Sequence, residues 1–160
     1  MKQKLINRFR YLWTWELLNA FVVFPAFILF MRAHISIGFA TITGSLTVSV
    51  LLIVGAAFAF IKYRDLKNGT TNIDNYKSTF HVLRWLIPIP LFCVSVIVWL
   101  LSGTLKISDI IFGIIFILLA ILEYINYFHI QLMYDNSTDI AYLFKHKKLK
   151  LGIIAREFDW

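Results

Sequence analysis

The chain has one cysteine, three prolines and nine acidic residues among its 160 residues. A single cysteine, Cys93, allows no intramolecular disulfide, no CxxC redox motif and no thiolate metal site. Charged residues make up only 16% of the chain, against roughly 25% in soluble globular proteins, whereas hydrophobic residues make up 59%. These proportions exclude an ordinary soluble domain and predict an integral membrane protein.

Four apolar runs are long enough to cross a bilayer as helices. They lie at residues 12–31, 35–61, 85–101 and 110–133. The predicted fold class is therefore all-α, a polytopic membrane protein with a four-transmembrane-helix bundle in residues 1–134. Residues 135–160 are predicted to form a basic, amphipathic cytoplasmic tail with a C-terminal helix.

Turn-forming residues predict where some of these helices end. Asn68-Gly69 is typical of a turn, and it lies in a polar connection, residues 62–84, that we expect to be a loop. Pro88 and Pro90 are expected to bend the start of the third helix rather than break its middle.

Two further features concern the second and fourth helices. Ala40 and Gly44 are four residues apart, a spacing that lets membrane helices approach each other closely, so we expect a packing seam there. Asp109 directly precedes the fourth apolar run and is predicted to cap the N-terminus of that helix.

Basic residues are distributed unequally between the two sides of the predicted bundle. Fourteen of the sixteen lie before the first run, between the second and third, or after the fourth, and only Arg32 and Lys106 lie in the other connections. Cytoplasmic segments of membrane proteins carry such an excess. We therefore predict a multi-pass protein of the bacterial plasma (inner) membrane with both termini cytoplasmic. The net charge of +7 is then explained by topology and contact with the lipid bilayer, without a nucleic-acid partner.

Polar side chains interrupt the first and fourth runs. Glu16 and Glu123 each precede an asparagine by three residues, which places each carboxyl group beside an amide on one helix face. On the predicted topology both glutamates lie in the cytoplasmic leaflet, so we expect a shared polar cluster. Because a carboxylate at that depth needs a partner, we expect Glu123 to pair with Arg84 or His81. The predicted cluster comprises Glu16, Asn19, His81, Arg84, Glu123, Asn126 and His129.

The role of this cluster stays open between two interpretations. It is either a set of polar contacts that determines helix register, or an ion path, proton relay or head-group site. His81 and His129 lie in no metal-binding spacing such as HExxH, so neither a metal nor a cofactor is predicted. No catalytic triad order or Gly-rich phosphate loop is present, so an enzyme is not favoured.

The tail combines apolar residues at helical spacing with lysines that we expect to contact lipid or a protein partner. Such a segment lies at the membrane surface or docks on its own bundle, and the sequence does not separate the two. The lysines are Lys145, Lys147, Lys148 and Lys150.

These features together favour a small non-enzymatic membrane protein, either a homo-oligomer or an accessory or regulatory subunit. It would present its basic cytoplasmic loop and tail to anionic lipid or to a cytosolic or membrane protein partner. One alternative is an oligomeric ion channel or small transporter that uses Glu16 and Glu123. A second is a membrane-embedded enzyme that acts on a lipid or quinone.

Overall fold

The computed structural model describes residues 2–101, 103–134 and 137–160. Within these ranges the chain is almost entirely helical, and an isolated antiparallel bridge joins Ile130 to Leu151. The α-helices are α1 (Lys2–Leu18), α2 (Phe24–His34), α3 (Phe39–Asn68), α4 (Lys77–Leu86), α5 (Pro88–Leu100), α6 (Ile107–Phe128), α7 (Ser137–His146) and α8 (Ile153–Phe158).

Four helical stretches are long and apolar enough to cross a membrane. They confirm the prediction of an all-helical, multi-pass chain with four candidate spans. α1 and α2 together form the first, α3 the second, α4 and α5 the third, and α6 the fourth. Their bounds are Lys2–His34, Phe39–Asn68, Asn72–Val98 and Ile107–Phe128.

Helix boundaries differ from the apolar runs because hydropathy marks the apolar span and not the hydrogen-bonded backbone. α1 already begins at Lys2, since lysine, arginine and glutamine are good helix formers. α3 continues through the polar residues to Asn68 and stops at Gly69, whose φ of 70° is readily adopted by glycine at a helix end. The prediction of a loop at residues 62–84 is therefore wrong for most of that range, although the predicted turn at Asn68-Gly69 is confirmed.

Pro25 follows a short π-helical turn, Asn19–Val23, that joins α1 to α2. The N–H of Phe24 donates to the carbonyl of Asn19, five residues back. Proline has no N–H to offer the preceding turn, and a wider turn is one way in which a helix accommodates it. The first span therefore continues past Pro25.

Pro88 interrupts the third span between α4 and α5. Its missing N–H leaves the carbonyl of Arg84 without its usual helical donor. The hydroxyl of Tyr124 in α6 donates to that oxygen at 2.9 Å. The proline therefore lies within a longer helical path and not at its start, which corrects the prediction and joins α4 to α6.

Small residues bring α3 and α6 into close contact. A Cβ added to Gly113 would lie 2.7 Å from the Cβ of Ala40, and one added to Gly44 would lie 2.9 Å from the Gly113 carbonyl oxygen. Close backbone approach of this kind stabilises helix pairs in membranes through van der Waals packing. The predicted seam at Ala40 and Gly44 is thus present, with Gly113 as its partner on α6.

Asp109 caps α3 and not its own helix. Its carboxylate accepts hydrogen bonds from the backbone N–H groups of Gly38 at 2.8 Å, Ala40 at 3.1 Å and Thr41 at 2.9 Å. The Thr41 hydroxyl donates to the same carboxylate at 2.7 Å. α6 begins two residues before Asp109, and its N-cap, Lys106, makes no side-chain capping bond. Asp109 therefore caps a helix, as predicted, but it caps α3 instead of α6.

α6 ends at Phe128, earlier than predicted, because the chain turns back there. The side-chain oxygen of Asn126 accepts a hydrogen bond from the N–H of Leu132 at 2.9 Å. The N–H of Gly152 then donates to the carbonyl of His129 at 3.0 Å. A side chain on Gly152 would meet backbone atoms of α6 at 2.5 Å, so only glycine fits this crossing.

The tail behaves in two ways. α8 packs against the spans, with Ile154, Ala155 and Phe158 buried and Glu157 paired with Lys62 at 2.6 Å. α7 instead leaves Ile140 and Phe144 exposed, the latter at 79%. The helix ends before the last three tail lysines, Lys147, Lys148 and Lys150, so the predicted basic helix carries only Lys145.

Replacing Asp109 with alanine should lower the melting temperature in detergent strongly. The loss of capping and of the charge-assisted bonds should cost about 2 kcal/mol or more. Asp74→Ala, which removes an exposed carboxylate, is the matched control and should leave the melting temperature almost unchanged. Equal melting temperatures of the two variants would contradict the capping role.

Candidate functional site

A cavity of about 320 Å³ lies between α1, α3, α6 and α8. One part of its wall is polar and the other part is apolar. The polar lining consists of Arg8, Glu16, Asn19, Glu123, Asn126, Tyr127, Gln131 and Arg156. The apolar and aromatic lining consists of Tyr11, Leu12, Trp15, Leu52, Met133 and Ile153.

A tyrosine hydroxyl of α6 binds a carboxyl group of α1 in this cavity. Tyr127 donates a hydrogen bond to Glu16 Oε1 at 3.0 Å. Glu123, one helical turn before Tyr127, also lines the cavity. Glu123 also accepts a bond from the amide of Asn126 at 3.4 Å. The Tyr127 hydroxyl thus joins α6 to α1 through the Glu16 carboxyl group.

Gly55 of α3 makes room for this contact. A Cβ at this position would lie 2.5 Å from the Tyr127 hydroxyl oxygen and 2.8 Å from Glu16 Oε2. That second carboxyl oxygen of Glu16 is buried and has no hydrogen-bond partner in the part of the chain that the structure describes. A buried polar atom without a partner is costly, so the site holds Glu16 in a position that packing alone would not favour.

The structure divides the predicted polar cluster into two groups. Glu16, Asn19, Glu123 and Asn126 line the cavity. The other three, His81, Arg84 and His129, do not line it.

The expected pairing of Glu123 with Arg84 or His81 is wrong. In the part of the chain that the structure describes, neither glutamate of the cavity forms an ion pair. The guanidinium of Arg84 lies 5.6 Å from the ring centre of Trp160, and the His81 ring lies 5.4 Å from the same ring. Trp160 follows α8, so this contact depends on docking of the end of the tail, which the sequence left open as one of two alternatives.

His129 belongs to this second, aromatic group. Its Nε2 lies 3.2 Å from the hydroxyl oxygen of Tyr124, which also donates to the Arg84 carbonyl. Burial lowers the pKa of His129, and the nearby charge of Arg84 lowers it further. The neutral imidazole is thus favoured in the folded protein.

Sequence reasoning missed Tyr127, Gln131 and the two arginines of the cavity. Tyr127 follows Glu123 by four residues, a spacing that places both on one helix face and could have identified it. Arg156 carries no such signal, because it reaches the cavity only after the chain reverses beyond α6. Asn126 was predicted as a partner of Glu123. Its side-chain oxygen also accepts a hydrogen bond from the N–H of Leu132, where the chain reverses after α6.

Comparison with protein-family models, with curated proteins and with solved structures found no match to this chain. Its function must therefore be inferred from its own residues and their arrangement.

Replacing Tyr127 with phenylalanine should destabilise the protein by about 1–3 kcal/mol, because Glu16 Oε1 would lose its donor inside the protein. The measurement is thermal unfolding in detergent. Tyr76→Phe is a matched control, since Tyr76 is exposed and its hydroxyl makes no hydrogen bond within the described residues. An unchanged melting temperature for the Tyr127 variant would contradict a stabilising bond between the hydroxyl and Glu16.

The lowered pKa of His129 predicts a pH-dependent stability. Below its unfolded value of about 6.5, the unfolded chain binds a proton more readily than the folded chain. The free energy of unfolding should therefore be retained above that pH and fall as the pH drops through it. Urea unfolding between pH 8 and pH 5 should show a smaller fall for His129→Gln than for the wild type, and equal falls would contradict this assignment.

Proposed function

We propose that this chain is a small non-enzymatic protein of the bacterial plasma membrane, a four-helix bundle whose cationic, cytoplasmic end engages anionic lipid. It acts in this proposal as a homo-oligomer or as an accessory subunit of a larger membrane assembly. The four candidate spans support the membrane location in general terms. The distribution of charge and the exposure of α7 support the rest.

The observation that carries the proposal is the separation of charge between the two ends of the helices. One end brings together the start of α1, the end of α3 and α8, where Lys2, Lys62 and Glu157 line one depression. The opposite end brings Arg32 and Lys106 beside each other. Fourteen basic residues thus belong to the first end and two to the second, an asymmetry that favours cytoplasmic termini.

α7 supplies the lipid-binding surface in this proposal. Ile140 and Phe144, four residues apart on one helix face, are both exposed, and Lys145 follows directly. Leu149 and Leu151, beyond the helix, are exposed as well. A short segment with apolar side chains and adjacent lysines inserts at the surface of anionic bilayers, where each lysine contributes about 1 kcal/mol.

A pore formed by several copies is less well supported. Glu16 and Glu123 line a cavity within a single chain, and Glu16 is bound there by Tyr127, so they are not directed towards a shared axis between copies. α3 is the most buried of the four candidate spans, which leaves little of its surface to line a path between copies.

Hydrogen–deuterium exchange in lipid nanodiscs tests the proposal. We expect residues 140–149 to exchange more slowly in nanodiscs of anionic lipid than in zwitterionic ones, and the difference to vanish when Lys145, Lys147 and Lys148 are replaced by glutamine. The double variant Arg32→Gln, Lys106→Gln at the opposite end should keep the difference. Equal exchange of the wild type in both membranes would contradict lipid engagement by the tail.

A further inference from the structure

The cavity combines side chains of both charges with a polar interior. The carboxyl groups of Glu16 and Glu123 have no basic partner in the described part of the chain, and they lie inside a candidate membrane span. Carboxyl groups at such a depth are costly and mark sites that receive a cation or a polar group. The guanidinium groups of Arg8 and Arg156 line the same cavity. A ligand that fits this lining carries a positive and a negative group close together.

The cavity has an exposed aromatic rim and is not fully enclosed by helices. Tyr11 and Trp15, on its rim, are 57% and 46% exposed. Trp15, Leu18 and Val22 follow one face of the first span at i, i+3 and i+7, and all three are exposed. An apolar stripe thus leads from the cavity along the membrane-facing side of the span, where an acyl chain could lie.

The backbone around the cavity has the irregular geometry that often accompanies a ligand site. The π-helical turn Asn19–Val23 begins at a cavity residue, and such turns occur frequently at functional sites in proteins. Glu16 Oε2 is buried directly beside Gly55 and has no hydrogen-bond partner among the described residues. The turn and this oxygen both belong to the first span, on the same wall of the cavity.

We propose that the cavity binds a phospholipid with a zwitterionic head group, which places its ammonium group at Glu123 and Glu16 and its phosphate at Arg156. Guanidinium groups bind phosphate oxygens through paired hydrogen bonds, and carboxyl groups accept hydrogen bonds from an ammonium. The acyl chains follow the stripe of Trp15, Leu18 and Val22. This binding is separate from the engagement of anionic lipid by α7, since it requires a positive group on the ligand.

Native mass spectrometry of the full chain in detergent, titrated with lipids of identical acyl chains, tests this assignment. Phosphatidylethanolamine should bind at least tenfold more tightly than phosphatidylglycerol, which has the phosphate but no ammonium group. Glycerophosphoethanolamine, the same head group without acyl chains, should not displace the lipid at equal concentration. Equal affinity for the two lipids, or equal competition by the soluble head group, would overturn the assignment.

Two variants locate the binding. Glu123→Gln should weaken binding of phosphatidylethanolamine by roughly tenfold, the effect of one lost charge-assisted hydrogen bond. Its matched control, Asp74→Asn, changes an exposed carboxylate outside the cavity and should bind as the wild type does. Unchanged affinity of the Glu123 variant would overturn the proposal.

Arg156→Gln provides a second test that does not depend on a buried residue, because the Arg156 side chain is exposed. It should weaken binding of both lipids at the cavity, whereas Arg64→Gln, a change at the same end but outside the cavity, should not. The triple replacement of Lys145, Lys147 and Lys148 should keep the preference for phosphatidylethanolamine. Loss of the preference in that triple variant would assign the binding to the tail and overturn the cavity as its site.

Discussion

α3 and α6 approach each other so closely that a methyl group on Gly113 would lie 2.7 Å from the Cβ of Ala40. In lipid, apolar side chains gain little free energy by moving from the membrane into a protein interior. Close van der Waals packing must therefore supply the attraction between the helices. The same two helices carry Gly55 and Tyr127, so their separation also determines where the Tyr127 hydroxyl meets Glu16. The remaining helices pack around a pair whose distance is set by glycine and alanine.

Several backbone N–H and carbonyl groups that lack a partner within their own helix form hydrogen bonds with side chains of α6. Asp109 binds N–H groups at the start of α3, Tyr124 binds the carbonyl freed by Pro88, and Asn126 binds the chain after α6. Such a backbone group costs free energy when it is buried without a partner. The Asp109 bonds therefore strengthen the contact between α3 and α6, and the Tyr124 bond joins α6 to the third span. All three donor or acceptor side chains belong to α6, which makes it the helix on which the others are positioned.

The cavity follows from the same arrangement. α6 contributes Glu123 and Tyr127, α1 contributes Glu16, and the chain reversal beyond α6 returns Arg156 to the same place. The reversal requires Gly152, because any side chain there would collide with the backbone of α6. A site with two carboxyl groups and two guanidinium groups is thus assembled from three distant parts of the chain. Its mixed charge suits a zwitterion better than a simple ion of either sign.

The sequence by itself determined the four spans, the unequal distribution of basic residues and the seam at Ala40, because hydropathy, charge and residue size are local properties. It also indicated Glu16 and Glu123 as a pair, since both interrupt apolar runs at similar depth. Only the tertiary structure decided that Tyr127 binds Glu16 and that Asp109 caps α3. These contacts depend on how each helix is rotated about its axis and on where the tail packs. Both are set by contacts between residues far apart in the chain.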